Sequence, residues 1–342
     1  MKKIFFCILI LLVGSVVWMG SERSDAPDDP PVSEKIEPSI ETTGSSKEGQ
    51  VVDDPLFFSM KGKSSEETLT LLGEPDHMFP SVYGYEWWLY ETEKGRYFQL
   101  GIADHEVVTG VLFHQEEGPV TVGESYNEVM EKKQFPSTLR LESEGAYSLE
   151  LTEKDVKDRP VISLDDKWSA QIYFDDVTEK VSAIRMIRND YLLKMQPYKV
   201  VYRGTLPTQE RLSNEEWEAV QEGVEAQILM MTNFIRNNQG LGELKHHTAA
   251  SQAAFLHSRD MDENNYFSHY SPNGNGLKER LENIFYVRAG ENIAAQYTDA
   301  AAALHGWLNS PGHRKALLDP DYTHIGVGVH ERYYTQNFLT LP

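Results

Sequence analysis

The chain has 342 residues, 40% of them hydrophobic and 11% aromatic, enough for two folded domains with buried cores plus extra segments. With 53 acidic against 32 basic side chains the formal net charge is −21. That balance argues against a nucleic-acid partner, whose phosphates need clustered cations, and the bulk of the molecule is repelled by an anionic membrane surface.

The N-terminus, "MKKIFFCILILLVGSVVWMGSER", places two lysines before an apolar run from Ile4 to Gly20. This is an export signal or an anchor, close to the shortest span of a bilayer, about 17 residues. Trp18 and Met19 stand where a cleavage site needs small residues, so residues 1–20 read as an uncleaved anchor, with the body outside, ahead of cleaved secretion. Cys7 is the only cysteine and lies in the apolar run. The exported body therefore has no disulfide and relies on its cores. Residues 21–54 carry ten acidic and three basic side chains with Pro, Ser and Gly throughout, a disordered, self-repelling tether.

Residues 55–200 read as two related units. The first opens with "GKSSEETLTLLGEPD", in which Ser64 or Ser65 caps a short helix that Gly73 and Pro75 end. "YGYEWWLYE", "GRYFQLGIAD" and "EVVTGVLFHQ" follow as a β-meander. The second opens with "TVGESYNEVMEKKQFPS" and continues through the strands "AYSLELTEK", "SAQIYFDD" and "KVSAIRMIRN". The shared order suggests an internal duplication. Trp87, Trp88 and Tyr90 read as strand packing rather than a binding face.

Residues 213–342 form the last domain. Ser213 and Glu216 make a capping box, and Trp217, Val220, Val224, Ile228, Met231 and Phe234 share one side of a long helix. An alanine-rich helix follows Thr248. "YFSHYSPNG" is a loop around His269. "RAGENIAAQ" puts Glu291 at what reads as a helical turn, and Thr298 caps the next helix, which buries Trp307. In "NSPGHRKALLDP" Ser310 is the N-cap, Pro311 the first helical residue and His313 the third. The positive end of the helix dipole should keep the His313 imidazole neutral, with a lone pair free for ligation or base work.

Eight of the eleven histidines lie between His246 and His330. His257 reads as core and His324 as structural, while His246, His247, His305 and His330 read as solvated or locally bonded.

The blocks "NFIRNNQGLGEL", "HSRDM", "YFSHYSPNG", "GENIA", "GWLNSPGHRKALL", "THIGVGV" and "YYTQNF" resemble, in order, the signature segments of the CAP superfamily (cysteine-rich secretory protein, antigen 5, pathogenesis-related 1) in its cysteine-free bacterial form. The resemblance runs from about Gly223 to Pro342, and the duplicated region resembles the CAP-associated N-terminal domain. It implies an α+β chain: a C-terminal α-β-α sandwich with a central cleft, preceded by a duplicated helix-plus-meander domain. In animal and plant members two His and two Glu line the cleft and can hold zinc. His269 matches the first His and Glu291 the first Glu. Tyr333, Tyr334, Thr335 and Gln336 stand where a strand H-Y-T-Q carries the second His, and Ser310 stands for the second Glu. His313 is the natural substitute.

The expected ligand cleft is therefore His269, Glu291, Ser310, His313, Tyr333, Tyr334 and Gln336, with His269, Glu291 and His313 as candidate zinc ligands. The leading reading is an extracytoplasmic binding module for a small molecule, peptide or cell-wall glycan, touching the membrane only through its N-terminal segment. The alternatives are a metal-dependent, peptidase-like hydrolase and a structural envelope scaffold.

Overall fold

The computed structural model describes residues 19–20, 56–91, 96–142 and 145–342. The expected anchor, apart from a two-residue strand β1 (Met19–Gly20), and the whole of the tether lie outside the described residues. Among the described residues no helix is long and apolar enough to cross a membrane.

The first unit runs through helices α1 (Leu56–Ser59) and α2 (Ser65–Leu72) and strands β2 (His77–Pro80), β3 (Glu86–Glu91), β4 (Tyr97–Ala103) and β5 (Glu106–Leu112). The second begins with α3 (Tyr126–Lys132), followed by β6 (Thr138–Glu142), β7 (Ala146–Glu150) and α4 (Glu153–Asp158). Strands β8 (Val161–Ser163), β9 (Trp168–Asp175) and β10 (Lys180–Arg188), helix α5 (Asn189–Met195) and strand β11 (Lys199–Arg203) complete it.

The duplication is written in backbone hydrogen bonds. Ser64 caps α2 and Ser125 caps α3, each in a full capping box, with Glu67 and Glu128 respectively. Ser64 bridges to Glu106 at the start of β5, and Ser125 bridges to Lys180 at the start of β10. Ser65 N donates to His105 O as Tyr126 N donates to Glu179 O, both at 2.8 Å. Val107 N donates to Lys63 O as Val181 N donates to Glu124 O, again at 2.8 Å.

The two units are not separate bodies. β5 pairs antiparallel with β10, fusing both meanders into one seven-stranded sheet of order β2-β3-β4-β5-β10-β9-β8. Val111 and Arg185, equivalent by the same offset that relates Glu106 to Lys180, face each other in register. A local two-fold axis therefore passes between them. The second unit departs from simple helix-then-meander order, because β6, β7 and α4 are inserted and β6, β7 and β11 make a small sheet of their own. Strand β11 carries this region to Arg203, beyond the expected boundary at 200.

The C-terminal domain consists of α6 (Asn214–Asn238), β12 (Lys245–His246), α7 (Thr248–Glu263), α8 (Leu277–Arg280), β13 (Arg288–Ala295), α9 (Ala300–Leu308), α10 (Pro311–Leu317), β14 (His324–His330) and β15 (Tyr333–Thr340). The sheet order is β1-β13-β15-β14-β12. Helix α7 lies directly on β14, since a Cβ at Gly328 would sit 1.9 Å from Phe255 N and one at Gly326 2.2 Å from the Ala250 carbonyl carbon. Alanines on one side and glycines on the other permit that approach. On the other face Gln336 donates to Thr232 of α6, and Asn292 donates to the His313 carbonyl of α10. The result is the expected α-β-α sandwich.

One apolar cluster runs through both domains, from Tyr83 and Trp87 to Trp307 and Phe338. Its polar seam is specific. Arg185 pairs with Asp299 at 2.7 Å, Tyr83 donates to the Thr298 carbonyl, and Asn309 donates to the Phe174 carbonyl. Asp299, not Thr298, caps α9. His305, expected to be solvated or locally bonded, is not solvated: it is buried here against the Tyr173 ring and bonds locally to Asn309.

Candidate functional site

The site is centred on Glu291, which is 3% exposed. It stands on strand β13 rather than in a helical turn, so neighbouring side chains alternate between faces. Asn292 reaches Gln336 and α10, while Glu291 turns toward the loop between α7 and α8. There Glu291 Oε1 accepts from His269 Nδ1 at 2.8 Å, and Oε2 accepts from Arg280 at 2.5 Å. Arg280 also donates to the carbonyls of His269 and Asn275, at 3.2 and 3.4 Å. Burial alone would raise the Glu291 carboxyl, but the His269 hydrogen bond and the Arg280 charge outweigh it and hold the carboxyl below its ordinary value.

The network assigns tautomers. Nδ1 of His269 donates to the carboxylate, and its Nε2 is buried and unpartnered. His257, on α7, donates from Nε2 to the Ser268 carbonyl at 3.1 Å and leaves Nδ1 buried and unpartnered. Burial pushes His257 down to about 4, with Glu291 pulling weakly the other way. His313 is also pushed down to about 4 and has an unpartnered Nε2. The cause differs from the expected one: burial dominates, and His269 lies near enough that a charge there disfavours a second. The helix dipole is not needed.

A pocket of about 30 Å³ opens at this network, lined by His269, Glu291, Tyr270, Leu277, Tyr286 and Ala289. A larger groove of about 290 Å³ runs past His257, Asp260, Asn273 and Arg280. Tyr270, which lines the smaller pocket beside Lys278 and Glu279, is exposed, and so are Phe285, at 82%, and Val287, the chain neighbours of Tyr286.

The remaining expected residues are dispersed. Ser310 heads α10 but makes no side-chain cap bond. Tyr333 pairs with Ala295, four residues along β13 from Glu291, or about 14 Å at a strand's rise. Tyr334 turns to the opposite face, is buried there, and donates to the Tyr297 carbonyl. Gln336 serves the α6 interface. The tyrosines therefore do not wall the pocket as expected, because strand pairing fixes them at the far end.

The zinc set fits poorly. Both oxygens of Glu291 are engaged, one of them by a cation, and among the described residues no three His, Cys, Asp or Glu side chains are disposed to hold a metal ion. Sequence reasoning missed Arg280, one arginine among many with no motif to single it out. It also placed His257 in the core, where it does lie, without its unpartnered nitrogen.

The family models place the same two regions: CAP-associated N-terminal at residues 62–198 and cysteine-rich secretory protein family at 229–341. The membrane protein YlbC of Bacillus subtilis (strain 168) is 43% identical over 290 residues, 83% of each chain. The chain belongs to the bacterial CAP superfamily. YkwD of the same organism is 39% identical over 119 residues, 34% of this chain and 46% of YkwD. An extracellular SCP-domain protein of Bacillus anthracis str. Ames matches with a TM-score of 0.79 at 37% identity, covering 86% of this chain and 99% of that one. A cysteine-rich secretory protein of Staphylococcus aureus Mu50 shares the fold, with a TM-score of 0.72 at 22% identity over 82% of this chain and 94% of that one.

Proposed function

We propose that this CAP protein is an extracytoplasmic binding module whose cleft captures a small molecule, peptide or cell-wall glycan. One observation carries the reading: His269 Nε2 and His257 Nδ1 are buried without partners beside the Glu291–Arg280 pair, His269 lining the smaller pocket and His257 the larger groove, and His313 Nε2, on a ring near His269, is unpartnered too. Buried polar atoms are nearly always satisfied, so such a concentration marks a place where a ligand supplies the missing hydrogen bonds. His257, neutral and donating from Nε2, offers a lone pair on Nδ1, which selects a ligand bearing a hydroxyl or amide donor.

Imidazole nitrogen resonances, followed by NMR during titration with soluble peptidoglycan fragments and with short peptides, test this. Binding should shift the His257 and His269 signals and weaken in His269→Gln. Binding that leaves those signals unmoved and survives that substitution would place the ligand elsewhere.

We further propose that the N-terminal apolar segment holds the body outside the membrane. The named membrane protein YlbC and the extracellular Bacillus anthracis relative support that placement. Protease added to intact cells should remove the folded part, and recovery of a trimmed protein in the medium would instead show cleaved secretion.

A second reading, hydrolysis, is favoured by the Glu291–His269 dyad, because a carboxylate-oriented imidazole with a free Nε2 is an arrangement suited to activating water. Turnover of a peptide substrate in the presence of chelator, lost in His269→Gln, would promote it.

A further inference from the structure

We propose that the guanidinium of Arg280 occupies the cation's place in this cleft, making the site complete in charge and in cross-links without a metal ion. Three features point there. Glu291, the site's buried anion, is bonded through one oxygen to His269 and through the other to Arg280, so no oxygen is left without a donor. The same guanidinium holds the carbonyls of His269 and Asn275, tying the His269 loop to β13. A cation bridging His269 and Glu291 would do the same work. Finally, one carboxylate and one guanidinium sum to zero, so a divalent ion entering here would stand uncompensated beside a buried like charge.

The positions that would complete a metal set have been given to other tasks, consistent with this exchange. Tyr333 sits opposite Ala295 at the far end of the strand, and Ser310 heads α10. The charge-assisted Arg280–Glu291 bond fixes the carboxylate, which in turn fixes the His269 ring through Nδ1 and leaves its buried Nε2 unpartnered. Arg280 is thus a positioning residue acting through Glu291.

The test is calorimetric titration of the full-length protein, in detergent micelles at neutral pH, with zinc chloride as the probe. Wild type should show no zinc binding that depends on His269. Arg280→Gln removes the charge and should raise zinc affinity by at least about tenfold, a gain lost when His269→Gln is added. Zinc binding by wild type that disappears in His269→Gln overturns the proposal. So does an Arg280→Gln protein that keeps the wild-type circular dichroism and gains no affinity. Should Arg280→Gln fail to fold, Arg280→Lys retains a cation and should stay as silent as wild type, whereas His269-dependent zinc binding in it would refute the exchange. None of these outcomes depends on which organic ligand the pocket takes.

Discussion

The two units of the N-terminal sheet share helix caps, strand-start bridges and hydrogen bonds, yet they hold the CAP domain by different means: the first packs Phe79 against Gly223 and sets Tyr97 and Phe113 against Phe234, while the second brings a buried charge. Across the local two-fold axis Val111 stands in one unit and Arg185 in the other. Val111 is an ordinary core side chain, while Arg185 is 1% exposed and reaches Asp299 at the head of α9. The second unit also supplies Tyr173 against His305, the Phe174 carbonyl to Asn309, and Asp175 to Arg314. Both copies contribute to the interface, and the side chains that differ between them make one half aromatic and the other charged.

The largest expected effect breaks that interface. Arg185→Met leaves Asp299 buried without its cation and should cost about 3–5 kcal/mol in denaturant unfolding. If the loss is under about 1 kcal/mol, the pair does not couple the domains.

Acid probes the same seam. Burial pushes His305 down to about 3, with the Arg159 charge adding to it, so the folded state refuses a proton that the unfolded imidazole accepts below about 6.5. Stability is therefore fully present above that pH and falls as pH drops toward 3. Between pH 6.5 and 4.5 this one group should remove about 2–3 kcal/mol. A folded His305→Gln protein should lose that share of the pH dependence, and an unchanged slope would assign it to other groups.

The matched substitution across the axis, Val111→Ala, should cost about 2 kcal/mol through lost burial and a small cavity. Its effect should leave the pH dependence intact.

The caps test the symmetry itself. Ser64→Ala and Ser125→Ala each remove one half of a capping box and should each cost about 1 kcal/mol. Clearly unequal losses would mean that the units support their helices differently. Ser310→Ala, at a cap position whose hydroxyl makes no cap bond, should change stability by less than about 0.5 kcal/mol.

Much of this architecture was legible in the sequence because it rests on local chemistry. The capping serines, the aromatic and β-branched runs of β3 to β5, the apolar stripe of α6 and Pro311 at the head of α10 all act within a few residues of themselves. Glu291 was misread as part of a turn because "GENIAA" lacks polar alternation, and a strand buried on both faces shows none. His305 bonds locally to Asn309, as one of its two expected readings had it, but its burial was not legible because Tyr173, which covers it, comes from the other domain.

What the sequence by itself determined is the order of elements, the two-domain plan and the His269–Glu291 pairing, since each follows from short-range pattern or from blocks kept in order. Only the tertiary structure decided what surrounds that pair. Arg280 reaches Glu291 because α8 folds back across β13, His257 reaches the Ser268 carbonyl from α7, which lies directly on the sheet, and Tyr333 is removed from the pocket by the register of β13 with β15. Charge balance and unpartnered nitrogens depend on distances between elements far apart in the chain, and no local pattern encodes those distances.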